Sequence, residues 1–118
     1  MTRSPWEEGR RGTGYLKRRL FRWRLGRLGS DAYLLKYPEG SSVPPHRDPV
    51  DGGSHYRLNI ELRRAARGGD FRCDTTIVRL PRIALFRPDR HEHSVSRVEE
   101  GTRWVFSVGV ALFSGAAA

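Results

Sequence analysis

Turn-forming residues limit this chain before anything else does. Its 118 residues include 13 glycines and 7 prolines, and they recur with Ser, Asp and Asn about every eight to twelve residues, which leaves room for strands and little for helices. The run Tyr15–Trp23 also fits helical spacing through Leu16, Leu20 and Trp23. Flanking Gly12, Gly14, Gly26 and Gly29 favour a strand instead. Gly29-Ser30-Asp31 reads as a turn, followed by a strand at Ala32–Tyr37 and a loop at Pro38–Ser42. Past a second loop, Pro49–Ser54, the segment Tyr56–Leu62 alternates cleanly. Leu58, Ile60 and Leu62 share one face and Arg57, Asn59 and Glu61 the other, the pattern of a half-buried strand. Arg63–Gly69 turns the chain. Further strands are expected at Asp70–Cys73, Thr75–Leu80, Arg82–Arg87, His93–Val98 and Thr102–Leu112. Many short strands with no helix beyond two turns predict an all-β sandwich or barrel.

The length suits one domain over residues 1–118, with one core and no room for a second. Residues 1–14 are polar and glycine-rich, with Trp6 the one large apolar side chain past Met1, and read as a frayed arm. No run approaches the roughly 20 apolar residues that cross a bilayer, and the first residues lack the apolar centre of a signal peptide. A cytoplasmic protein without a membrane partner is expected. The single Cys73 cannot form an internal disulfide, which agrees with a reducing compartment, and reads as a small buried apolar residue.

A formal net charge of +9 and a pI near 10.9 raise nucleic acid as a partner. Against that, Lys17 and Lys36 are the only lysines, and an Arg-, Gly- and Ala-rich composition with Asn59 as the only Asn also follows from a GC-rich genome. The two explanations carry equal weight.

The chemistry concentrates at Val43-Pro-Pro-His-Arg-Asp48. Two prolines force extended backbone, so His46 and Asp48 leave the same side. As an isolated pair they could be a surface turn. With a distant histidine they could instead hold a divalent iron on three adjacent corners and leave the others open. Asp89-Arg-His-Glu-His-Ser-Val95 offers His91 and His93, which share a face, so alternation does not choose between them. Ten residues past His93 stands Arg103, with Val105 and Ser107 on its face and Trp104, Phe106 and Val108 opposite. An inward arginine on an apolar strand calls for an anion.

In order, Tyr37-Pro38, His46-Arg-Asp48, Gly68-Gly69-Asp70-Phe71, His93-Ser-Val95 and Arg103 with Ser107 resemble the iron(II)/2-oxoglutarate-dependent oxygenases over about Ala32–Leu112. The resemblance implies a double-stranded β-helix of the jelly-roll or cupin-like kind. It also implies Fe(II) held by His46, Asp48 and His93, the last chosen over His91 because Ser-Val follows it and Arg103 lies ten residues on. Arg103 would bind the distal carboxylate of 2-oxoglutarate, helped by Ser107 and Tyr37, with ascorbate as a possible reductant. The implied reaction hydroxylates a substrate and releases succinate and carbon dioxide. Leu58, Ile60 and Leu62 would form an apolar pocket wall, a departure from the prolyl-hydroxylase type, where a polar residue or tyrosine often sits. His91 would be a neighbour of the site or a surface residue, and His55 solvent-exposed. Substrate identity and oligomeric state stay open, and substrate contacts would come from the arm and the loops Pro38–Ser42 and Pro49–Ser54. Two rival readings are a non-catalytic basic β-barrel that binds nucleic acid and an oxygenase acting on nucleic-acid bases.

Overall fold

Gly26 makes the reversal that joins the first two long strands. With φ of +60° it opens a two-residue loop, Gly26-Arg27, between β2 (Leu16–Leu25) and β3 (Leu28–Tyr37). A glycine at the first loop position matches the twist of a tight hairpin. The turn expected at Gly29-Ser30-Asp31 is not there, because those residues pair within β3 against β2. Gly29 serves packing instead, since a Cβ on it would meet the Phe113 ring at 3.1 Å.

The computed structural model describes residues 5–48 and 53–113, all strand or connection. The remaining strands are β1 (Glu7–Glu8), β4 (Val43–His46), β5 (Ser54–Arg63), β6 (Arg67–Gly68), β7 (Phe71–Cys73), β8 (Val78–Leu80), β9 (Ile83–Phe86), β10 (His93–Val95), β11 (Val98–Glu100) and β12 (Arg103–Leu112). The run expected as one strand at His93–Val98 is thus divided between β10 and β11. At the break, Ser96 N–H donates to the Asp70 carbonyl at 2.9 Å. No helix among the described residues is long and apolar enough to cross a membrane.

The antiparallel sheets divide the work. A large one has the order β1-β2-β3-β12-β5-β9-β8, a small one β4-β10-β7, and β11 pairs with β6. Val43 and Val95 of the small sheet pack with Tyr37 and Val105 of the large one, and Val98 completes this core. Phe71 and Phe86 meet across the same interior at a ring separation of 5.0 Å.

The face of β5 turned to the interior is the polar one. Asn59 and Glu61 line interior cavities, while Leu62 is 52% exposed. Leu58, Ile60 and Leu62 therefore do not wall the pocket. The register shows why: β12 presents Arg103, Val105 and Ser107 inward, and its Val105 and Ser107 stand opposite Glu61 and Asn59. Buried polar groups need partners, and those partners come from β5.

Residues 5–14, the described part of the expected arm, lie against the sheet. Glu7 and Glu8 pair with β2, and the Trp6 ring meets Trp104 edge-on at 5.8 Å.

Candidate metal centre

His46 and His93 converge because they are directly paired across the β4–β10 ladder. Directly opposed residues of an antiparallel pair project to the same side. The prolines that shape the approach, Pro44 and Pro45, cannot donate ladder hydrogen bonds, and β4 is an edge strand where that is tolerated. The imidazole rings stand 4.3 Å apart between centroids. Just past β4, the Asp48 backbone N–H donates to the Pro88 carbonyl at 2.7 Å, which holds the carboxylate beside both rings.

Each histidine is fixed from behind. His46 Nδ1 lies 2.7 Å from the Pro44 carbonyl and His93 Nδ1 lies 2.9 Å from the His91 carbonyl. A carbonyl only accepts, so both Nδ1 atoms carry the proton, and in the neutral rings the lone pair resides on Nε2. Those Nε2 atoms face Asp48 Oδ2, at 3.5 Å from His46 and 3.4 Å from His93. The three ligand atoms all fall within 4.8 Å of one another. Two neutral imidazoles and one carboxylate oxygen around one point suit a non-haem iron or a similar divalent cation, and no other such cluster is found among the described residues.

The second Asp48 oxygen is taken by Arg10, whose Nη1 donates to Oδ1 at 3.0 Å. Burial alone would raise the Asp48 carboxyl; with the rings protonated, the hydrogen bond from His93 and the charges of His46, His93 and Arg10 outweigh it and hold the group at about 2. Arg10 leaves Oδ2 as the oxygen aimed at the histidines. Arg10→Ala is expected to lower divalent-metal affinity by about 10-fold, the effect of losing a group that orients a ligand. Stability should change by less than about 1 kcal/mol, since the pair is solvent-accessible. Metal titration and thermal melts of the same variant check both.

His91 does not reach the cluster. Its Nδ1 accepts the Arg87 backbone N–H at 3.1 Å inside the Arg87–His91 turn, and an Arg87–Asp89 ion pair at 2.6 Å braces that turn. His55 is half-buried on the inner face at the far end of the sheet, not solvent-exposed, and burial with the nearby Arg57 pushes its pKa down. Cys73 is half-buried; its thiol donates to the Thr75 carbonyl at 3.0 Å and burial raises its pKa.

The other expected site residues line the interior beside the cluster. Tyr37 is buried, stacks on Tyr15 at 5.1 Å and carries the Arg103 guanidinium 5.0 Å from its ring centre. Burial pushes both phenols up. Arg103 is 4% exposed, and its Nε donates to Glu61 at 2.7 Å. The anion it needs is thus supplied from within the chain. Ser107 donates to Asn59 Oδ1 at 2.6 Å and accepts from Arg57 Nη1 at 2.7 Å, and Arg57 also pairs with Asp31. Glu61, Asn59, Arg57 and Arg10 escaped sequence reading. For the first three the only signal was the polar face of Tyr56–Leu62, which marks an amphipathic strand without saying which side faces in, and Arg10, within residues 1–14, had none.

Two cavities adjoin here. One of about 90 Å³ is lined by His46, Asp48 and His93 with Tyr15, Tyr37 and Phe86. The other, about 190 Å³, is lined by Arg103, Glu61, Arg64, Asp70 and Arg79. Asn59 and Phe71 line both.

No protein-family model matches this sequence, and no curated protein does. Among solved structures, the chain is similar to one in the crystal structure of Rhodobacter sphaeroides SigE in complex with the anti-sigma ChrR, with a TM-score of 0.52 and 21% identity. The match covers 91% of this chain and 48% of that one, so this chain spans about half the length of the one it matches. At that identity the likeness is one of all-β architecture.

Proposed function

We propose that this chain is an Fe(II)- and 2-oxoglutarate-dependent oxygenase built on a double-stranded β-helix. The observation that carries the reading is the convergence of His46 Nε2, His93 Nε2 and Asp48 Oδ2, each held from behind by a partner of its own. A preset trio of this composition leaves coordination positions open for a bidentate ligand and a gas. With iron bound, the site would supply oxidative chemistry that decarboxylates the keto acid to succinate and hydroxylates a second substrate.

The chain's own part is binding and exclusion of water. Glu61 engages Arg103 through Nε, and the two terminal nitrogens are those that would take the distal carboxylate as a planar fork. Tyr37 supports the guanidinium from its ring face. Ser107 braces β12 against Asn59 and Arg57, which suits a shaping role better than a ligand contact. Tyr15, Phe71 and Phe86 keep the cavity wall apolar beside the metal ligands.

A second reading, action on or binding of nucleic acid, is favoured by β2. There Lys17, Arg19, Arg22 and Arg24 all fall on the inner face, opposite Leu35, Tyr33, Asp31 and Gly29. A steep linear fall of log affinity with log salt for single- or double-stranded DNA would support it, and no binding at low salt would remove it.

The oxygenase reading is tested by succinate formation from 2-oxoglutarate with iron, ascorbate and oxygen, without added substrate. Slow uncoupled turnover is expected. Arg103→Lys, which keeps a cation beside Glu61 and loses the fork, should weaken 2-oxoglutarate binding about 10- to 100-fold and leave metal affinity intact. A wild type that binds metal but neither binds the keto acid nor makes succinate would reduce the proposal to a metal-binding domain.

A further inference from the structure

The outward face of the large sheet is apolar across six strands. Register places Phe21 and Trp23 of β2, Val110 and Leu112 of β12, Tyr56 of β5 and Leu80 of β8 on that side, away from Arg103 and Ser107. Most of the exposed large apolar side chains among the described residues lie there, with Val110 and Leu112 43% and 50% exposed. Between them sit further apolar residues, including the register partners Leu58 and Leu85. Trp6 covers one corner through Trp104. The molecule measures 44 × 43 × 23 Å, so this face is a broad side of a slab.

We infer that this face is covered by a second copy of the same chain, packed sheet on sheet about a twofold axis. Size supports it. Six strands of about 4.8 Å by about seven residues of about 3.4 Å give roughly 700 Å², close to the roughly 800 Å² that each partner contributes to a standard stable interface. Contiguous exposed apolar patches on monomers rarely exceed a few hundred Å². Charge supports it too. The chain carries +9, and a different protein recruited by that charge would be acidic and would seek the basic side chains. On this face, Arg18, Lys36 and Arg63 stand toward the same end as Trp104, and Ser30 and Ser54 are its uncharged polar positions. A neutral apolar centre meets its best complement in its own copy, which leaves the positive charge in water where salt screens it. In such a dimer the two His46–Asp48–His93 clusters would look outward on opposite sides.

Sedimentation equilibrium of the wild-type chain at micromolar concentration tests this. The expected mass is twice 13.5 kDa. Val110→Glu puts a carboxylate on β12 in the apolar part of the face, between Ser30 and Tyr56, where a partner copy would bury it, so the dimer dissociation constant should rise on the order of 100-fold or more. Should Val110→Glu fail to fold, Leu25→Glu, at an 80% exposed position by the hairpin loop, provides the milder change. A wild type that stays monomeric to 100 μM, as it would if a different protein were the occupant, overturns the inference. So does a dimer that survives whichever of these variants folds, because it would then use another surface.

Discussion

His93→Ala is expected to abolish divalent-metal binding in titration calorimetry, and His91→Ala to leave affinity within about 10-fold of wild type. The two histidines are two residues apart and share a strand parity, yet their surroundings differ completely. His93 is in register with His46 and aims Nε2 at Asp48 Oδ2 from 3.4 Å. His91 spends Nδ1 on the Arg87 backbone N–H and contributes its carbonyl to His93 Nδ1. Since that contribution is a backbone group, an alanine at position 91 retains it. Without the His93 ring the cation would keep one imidazole and one carboxylate, two ligands where three set the geometry. Mn(II) or Co(II) serves as an air-stable probe. Equal losses in the two variants would show that His91 enters the coordination set and that the described turn rearranges on binding.

Glu61→Ala is expected to destabilise the fold by about 3–5 kcal/mol, because it strands the Arg103 charge in the interior. For a chain of this size that is roughly 10–20 °C in melting temperature. The second partner of Glu61, Arg64, has a side chain 58% exposed and adds little. Replacing both residues, Glu61→Leu with Arg103→Met, should recover most of the loss, since it removes two desolvated charges together. The pH dependence has a definite sign. Burial acts to raise the Glu61 carboxyl, but the hydrogen bonds and charges of Arg103 and Arg64 win and hold it below its ordinary 4.5. The unfolded chain therefore takes up the proton first. The stabilisation is complete above pH 4.5 and fades as pH falls through the lowered folded value, so the wild type and Glu61→Ala should converge in stability on acidification. Urea titrations at a series of pH values read this directly.

The all-β class and most strands were legible in the sequence because punctuation and alternation are local properties. The grouping of His46, Asp48 and His93 was expected from motif order, and the geometry now places those three side chains together. Orientation was not legible. Alternation in Tyr56–Leu62 defines two faces, and the habit of turning the apolar one inward fails where the interior houses an arginine and the exterior offers an apolar plane. Long-range pairs were equally silent. Arg10–Asp48 and Glu61–Arg103 join residues 38 and 42 positions apart with no spacing signal. The Gly26 and Gly29 signals differ only in φ, which a sequence does not display.

The placement of β12 bears on how the chain is made. It is the last described strand, and it is the one that joins β3 to β5. During synthesis the β1–β3 ribbon and the strands from β5 to β9 emerge first, each with the edge that will receive β12 still open. The large sheet cannot close until β12, through residue 112, has left the ribosome. Closure of the large sheet therefore waits on β12, and until then the facing edges of β3 and β5 are unpaired. Shortening the chain into β12 should leave the large sheet in two pieces, with β3 and β5 lacking their shared neighbour, while the β4–β10 pair still ties the two parts of the chain together.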